Sequence, residues 1–123
     1  MTSSVLMPDS GTELDIVGPK IKADGYSGGD GLHTVGIYLS DFVGRIFIQG
    51  SLEIEPTDND WFNITLDGEN VNYLQYDNNT SGLVVRNFTG NFVWVRAKLN
   101  RTYIVPEPNP NAVGKVTQII MNN

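Results

Sequence analysis

The sequence predicts an all-β fold, an antiparallel β-sandwich of the jelly-roll kind. Three observations carry that prediction. Apolar residues recur at every second position along run after run. Turn-forming residues close those runs at short intervals. No stretch of helical length carries an apolar stripe at helical spacing.

The first alternating run sets His33, Val35, Ile37 and Leu39 against Thr34, Gly36, Tyr38 and Ser40. The second sets Ile46, Ile48 and Leu52 against Arg45, Phe47, Gln49 and Ser51. Residues 61–66 follow, with Phe62, Ile64 and Leu66 on one side, and then the runs 73–76, 83–88, 92–99 and 116–121. The β-branched and aromatic content of Leu83-Val84-Val85 and Phe92-Val93-Trp94-Val95 suits a half-buried pleated surface. Asp67-Gly68 closes one strand, Asp77 to Gly82 separates two more, and Gly90 lies in the turn after Asn87. Asn100-Arg101 turns the chain before Tyr103. Such short connections favour antiparallel hairpins and Greek keys over βαβ units.

A chain of 123 residues with 40% hydrophobic content is long enough for one core without disulfide staples. Residues 1–12 are polar around Pro8 and Gly11 and read as a flexible or partner-bound arm, leaving 13–123 as a single sandwich domain. Residues 106–111 alternate proline with polar residues, which suits a stiff extended connector to the last strand or a recognition arm. Residues 25–31 are glycine-rich but lack the lysine of a phosphate loop, and read as a loop.

Several function classes are disfavoured at once. There is no cysteine, so neither disulfides nor thiolate metal sites nor cysteine nucleophiles are available. Eight basic residues against fourteen acidic give a net charge of −6, and the cations are scattered along the chain, so nucleic acid is not an expected partner. No apolar run approaches the roughly 20 residues a spanning helix needs, so no membrane partner is expected. Met1 to Leu6 lacks a basic, then apolar, secretory pattern, which predicts a protein that acts where it is made or is released by lysis.

The lone histidine, His33, shares a strand face with Val35 and Ile37 and reads as a structural residue; general acid–base work calls for a titratable group in a cleft. No hydrolase elbow or zinc-protease motif is present, so no enzyme and no cofactor are expected. Asp58-Asn59-Asp60 offers closely spaced oxygens but lacks the spacing of a calcium loop, and reads as a turn; no metal is expected. The Asn-x-Ser/Thr triplets at Asn63, Asn78, Asn79, Asn87 and Asn100 follow from a chain rich in Asn and Thr, and glycosylation is not expected.

The aromatic residues are the most informative. Opposite the apolar faces lie Arg45, Phe47 and Gln49 on one strand and Phe92, Trp94, Arg96 and Lys98 on another. A solvated face has no need of Phe or Trp, while a buried one would not hold Arg and Lys. Aromatic residues mixed with arginine are enriched at protein interfaces, and the same mixture suits a platform on which a sugar ring stacks. Cover by loops of the chain itself is the third reading, with only the cation tips left wet. Phe47, Trp61, Phe92, Trp94, Arg45 and Arg96 are therefore the candidate contact residues, with Trp61 also placed to plug the end of the sandwich.

Asp30-Gly31-Leu32-His33-Thr34-Val35, then Phe42 to Leu52 with its core Ile46-Phe47-Ile48-Gln49-Gly50-Ser51-Leu52, then Glu55 to Phe62 ending in Asp60-Trp61-Phe62, form a strand, a proline–acidic turn and a second strand. This order resembles small virion structural proteins of contractile-tailed phages, particularly those infecting cyanobacteria. Phe92-Val93-Trp94-Val95-Arg96-Ala97 resembles the strand that follows, and the likeness extends from the region of Lys20 to Met121. The same pattern of small residue, strand, turn and tryptophan recurs in carbohydrate-binding sandwiches. The resemblance implies a non-catalytic β-sandwich in a capsid, neck, tail or baseplate, assembled in the host cytoplasm and contacting other virion proteins and copies of itself. A carbohydrate-binding module is the alternative, with glycans as partners.

Overall fold

The computed structural model describes residues 3–23 and 31–122; most of the glycine-rich stretch expected to be a loop, residues 25–30, lies outside them. Among the described residues eight strands occur in chain order: β1 (Ser3–Met7), β2 (Ile16–Val17), β3 (Ile21–Lys22), β4 (Leu32–Ser51), β5 (Phe62–Asn63), β6 (Leu74–Thr89), β7 (Trp94–Asn100) and β8 (Lys115–Asn122). Asp58–Asp60 and Pro110–Ala112 are single 3-10 turns. Every pairing is antiparallel, and all eight strands belong to one sheet. The all-β antiparallel class read from the sequence is the class observed. Its core is enclosed by one sheet that curls until it is nearly a barrel.

β4 organises the sheet. The two alternating runs that looked like separate strands are one strand of 20 residues. β6 pairs along one edge of β4, from Leu32↔Thr89 to Leu39↔Gly82 and again from Gly44↔Tyr76 to Ile46↔Leu74. The other edge carries β8 along the first half, Thr34↔Asn122 to Ser40↔Lys115, and β7 along the second, Arg45↔Asn100 to Ser51↔Trp94. β1 then adds to β8, and β2 and β3 add to β7.

The bend in β4 is local and has a visible cause. Register shifts fall between Leu39 and Phe42 and between Phe42 and Gly44. Asp41 there adopts φ 51° and Gly44 φ 143°, and extra residues of this kind kink a strand and change which face a side chain takes. Inward positions accordingly run His33, Val35, Ile37, Leu39 before the bend and Phe42, Ile46, Ile48 after it. Asp77 to Gly82, expected to separate two strands, instead lies within the 16 residues of β6, opposite the bend. Gly82 there has φ 116°. Turn-type residues thus mark an irregular stretch of two paired strands.

The core follows from the alternation. Val95, Ala97 and Leu99 of β7 point inward with Val116, Ile119 and Met121 of β8, all fully buried. Full burial of a Val, Leu or Ile side chain contributes about 1.5–3 kcal/mol. The sheet nearly closes where β1 approaches β2. Gly18 donates its N–H to Ala97 O, and a Cβ at Gly18 would lie 2.2 Å from the carbonyl oxygen of Leu6.

That closure changes the reading of the N-terminus. Within the segment expected to be an arm, Ser3–Met7 is a strand paired with β8, and Leu6 and Met7 are fully buried. Ser10 is buried too, its N–H bonded to Val116 O and its hydroxyl accepting from Val116 N. The polar composition of the segment hides three apolar residues, Val5, Leu6 and Met7, that suffice for one edge strand. Residues 106–111 connect β7 to β8 as expected, ending in a 3-10 turn capped by the side chain of Asn109.

Candidate functional site

Strand register gathers the predicted contact residues on the outward face shared by β4 and β7. Gln49 lies opposite Arg96 and Phe47 opposite Lys98, with Ser51 opposite Trp94. Arg45, Phe47, Trp94, Arg96 and Lys98 are all half-buried, as outward residues become when large neighbours lean on them.

What the register brings together is a series of cations laid on rings. Arg96 stacks over Trp61 at 4.1 Å from the ring centroid, and its Nε donates to Gln49 Oε1 at 2.8 Å. Gln49 in turn donates to Asn63 Oδ1 at 2.9 Å, tying β4 to β5. Lys98 Nζ lies 5.9 Å from the Phe47 ring. Phe47 packs against Tyr73 with centroids 5.6 Å apart. Arg45 sits between Tyr73 at 4.6 Å and Tyr103 at 4.0 Å, and its Nε donates to Gln75 Oε1. At the far end of β7, Lys20 Nζ lies 4.5 Å over Trp94, whose Nε1 donates to Ile54 O at 2.9 Å.

Four of the eight Lys and Arg residues, namely Lys20, Arg45, Arg96 and Lys98, are thus collected on one face of an otherwise acidic chain. In the sequence they look scattered. Each pair contributes roughly 0.5–1 kcal/mol at an exposed position. Burial lowers the pKa of the Arg96 guanidinium and nearby Asp58 opposes the shift.

One predicted contact residue belongs elsewhere. Phe92 is 9% exposed and sits in the core, although alternation through Trp94 places it outside. Regular strand begins only at Trp94, so parity does not extend back to Phe92. Two glycines leave the space it fills: a Cβ on Gly90 would lie 2.4 Å, and on Gly50 2.8 Å, from its ring. Phe92 packs with Phe88 at 6.0 Å, His33 at 6.3 Å and Phe62 at 5.7 Å. Phe62, expected inside with Ile64 and Leu66, is the exposed member of this cluster at 40%. Leu52, expected on the inward face with Ile46 and Ile48, lies just past the end of β4 and is exposed.

The other residues singled out have structural partners. His33 is buried, stacked on Phe88 at 4.8 Å, with Nε2 3.1 Å from Gly90 O. Asp60 serves the turn expected there: its Oδ2 accepts from the N–H of Thr57 at 2.7 Å and from the Thr57 hydroxyl at 2.9 Å. Those two bonds hold its pKa below the ordinary aspartate value. Trp61 follows that turn and is half-buried, its ring against the Arg96 guanidinium.

Tyr73, Tyr103 and Lys20 complete the face from positions in or beside loops; Tyr73 opens the expected run 73–76, whereas no alternation marks Tyr103 or Lys20. A second outward apolar feature was also illegible as a surface: Val85, Gly36, Ile120 and Val5 line up across β6, β4, β8 and β1. Val5 and Val85 of that row are exposed, as is Leu83 beside it.

Arg101, read only as part of a turn, is fully buried. Its Nη1 donates to Val113 O and Gly114 O, each at 2.8 Å, its Nη2 to Glu13 O and its Nε to Leu14 O. The guanidinium also faces the Phe42 ring at 5.1 Å. It is a structural tie between two loops, with every contact made inside the chain.

The sequence matches no family model, no curated protein and no solved structure.

Proposed function

We propose that this chain is a non-catalytic structural component of a multi-copy assembly, working through protein–protein contacts. The assembly its sequence resemblance suggests is the virion of a tailed phage. The observation that carries the reading is the cation-on-ring face of β4 and β7, where Arg45, Arg96, Lys98 and Lys20 lie against Tyr73, Trp61, Phe47 and Trp94. Arginine and aromatic side chains are the residue types that dominate binding energy at protein interfaces. Here their side chains are already held by one another, which lowers the entropy lost on docking. A partner with acidic and apolar groups complements this face.

The alternative, a sugar platform on the same rings, is less favoured. Trp61 and Trp94 each have one ring face taken by a cation of their own chain, which leaves one face of each at most for a stacked pyranose.

Amine-reactive cross-linking of the intact particle, read by mass spectrometry, tests the proposal. Lys20 and Lys98 are expected to cross-link to other particle proteins, and Trp61→Ala with Arg96→Ala to abolish incorporation while the isolated chain stays folded. Absence of the chain from purified particles, or normal incorporation of the double variant, overturns it.

A further inference from the structure

A groove of about 680 Å³ opens where β4 bends, and it shares no residue with the aromatic face. Its walls come from the bend itself (Ser40, Asp41), from Asn79 of β6, from the 3-10 turn before β8 (Asn111), from Lys115, and from Thr12 near the N-terminus. The volume lies within the range of small-molecule sites, roughly 300–1,000 Å³.

The walls are held by bonds that leave ligand-ready groups over. Asn79 Nδ2 donates to Asp41 O at 2.8 Å and to Ala112 O at 3.1 Å, which fixes the amide across the groove. The Asp41 N–H donates to Ser81 Oγ at 2.9 Å, and that hydroxyl approaches Asp41 Oδ1 at 3.3 Å. A Cβ on Gly114 would lie 2.2 Å from both Ser40 O and Asp41 O, so the turn is seated directly on the bend. Among the described residues, Asp41 Oδ2, Asn79 Oδ1, the side-chain amide of Asn111 and the hydroxyls of Thr12 and Ser40 make no hydrogen bond.

Elimination by chemistry narrows the ligand. Lys115 is engaged by Asp9 at 2.8 Å, and the Asp41 carboxylate stands in the wall, so an anion is disfavoured. A bound cation wants several oxygen ligands with more than one carboxylate, and no group of three acidic or imidazole side chains occurs among the described residues. Pro110 and Ala112 are the largest apolar side chains of the lining, too little for an apolar ligand. What remains is a neutral molecule that offers donors and acceptors together on every side. We infer that this groove is a binding site for a short neutral oligosaccharide, whose hydroxyls meet the carboxylate of Asp41, the amides of Asn79 and Asn111 and the hydroxyls of Thr12 and Ser40.

This inference goes beyond the proposed contact function and does not depend on it. Amide-resolved NMR titration of the full chain with glucose, galactose, N-acetylglucosamine and their short oligomers is the test. Shifts are expected at Thr12, Ser40, Asp41, Asn79 and Asn111, saturating with at least one of these sugars. Asp41→Asn retains a side chain that tolerates positive φ and removes only the charge; it is expected to weaken binding about tenfold. Asn111→Ala, on the exposed turn, is expected to weaken it without loss of fold. No saturable shift with any sugar overturns the inference. So do shifts centred on Trp61 and Trp94, or unchanged affinity in both variants.

Discussion

Arg101 lies across Gly44: a Cβ at that glycine would be 2.3 Å from Arg101 Cγ and 2.7 Å from Cδ. The glycine of the β4 bend is therefore the floor on which a buried cation rests while it holds the carbonyls of Glu13, Leu14, Val113 and Gly114. The first prediction tests this relationship. Arg101→Met leaves four carbonyls without their donor and should cost about 3 kcal/mol or more. Gly44→Ala meets both the steric conflict and the positive φ, and should cost about 2 kcal/mol. In the double variant the costs are expected to fall short of their sum, because a flexible methionine yields where the arginine cannot. Urea unfolding of the four proteins gives the coupling; strict additivity would refute it.

The seam between β1 and β2 gives the second prediction. Gly18→Ala places a methyl group against the Leu6 carbonyl, which is backbone and cannot swing aside. A cost of about 1–3 kcal/mol is expected, with faster hydrogen exchange at the β1 and β8 amides that pair Val5 with Ile120. Unchanged exchange there would mean that the seam does not constrain β1.

Acid sensitivity should centre on Asp15. Burial pushes its pKa up, but the N–H of Arg101 and the hydroxyl and N–H of Thr102 outweigh burial and leave it below the ordinary value of 3.8. Oδ1 accepts from Arg101 N at 2.9 Å and Oδ2 from the Thr102 hydroxyl at 2.7 Å. A depressed carboxylate contributes stability that is fully present above the unfolded-state value and is lost as pH falls through the folded one. The wild type should therefore lose stability on the acid side of 3.8. Asp15→Asn should be less stable at neutral pH and flatter below that point, as read from denaturant midpoints across acid pH.

Phe92 and Trp94 stand two residues apart with opposite environments. Phe92→Ala empties a core site between His33, Phe88 and Phe62, and should cost about 3–5 kcal/mol. Trp94→Ala removes the contact with Lys20 and the bond to Ile54 O on the outer face, and should cost about 1–2 kcal/mol. Similar losses from both would place the two rings in one environment and contradict the switch of face between them. Thermal unfolding distinguishes the cases.

Much of the architecture was legible in residue order. The two-residue period of His33 to Leu39, and again of Val95 to Leu99, fixes an extended strand with one apolar face, and those residues are the ones buried. The candidate face was legible in the same way for Phe47, Trp94, Arg45 and Arg96, because alternation alone puts them opposite the core. Phe92 escaped because periodicity is a property of regular strand, and the chain is not regular before Trp94. Asp77 to Gly82 misled because turn-forming residues also suit a bulge in a continuous strand.

The sequence by itself determined the class of fold, the inward faces along the regular runs such as His33 to Leu39 and Val95 to Leu99, and the kind of side chain left outside. Those depend on spacing along the chain, and spacing is local. Only the tertiary structure decided that two runs are one bent strand, that Ser3–Met7 completes the sheet, and that Arg101 is buried. It alone brought Lys20, Tyr73 and Tyr103 to the face of β4 and β7. Such relationships join residues far apart in sequence, and they are fixed by strand register and by where small residues let the backbone approach.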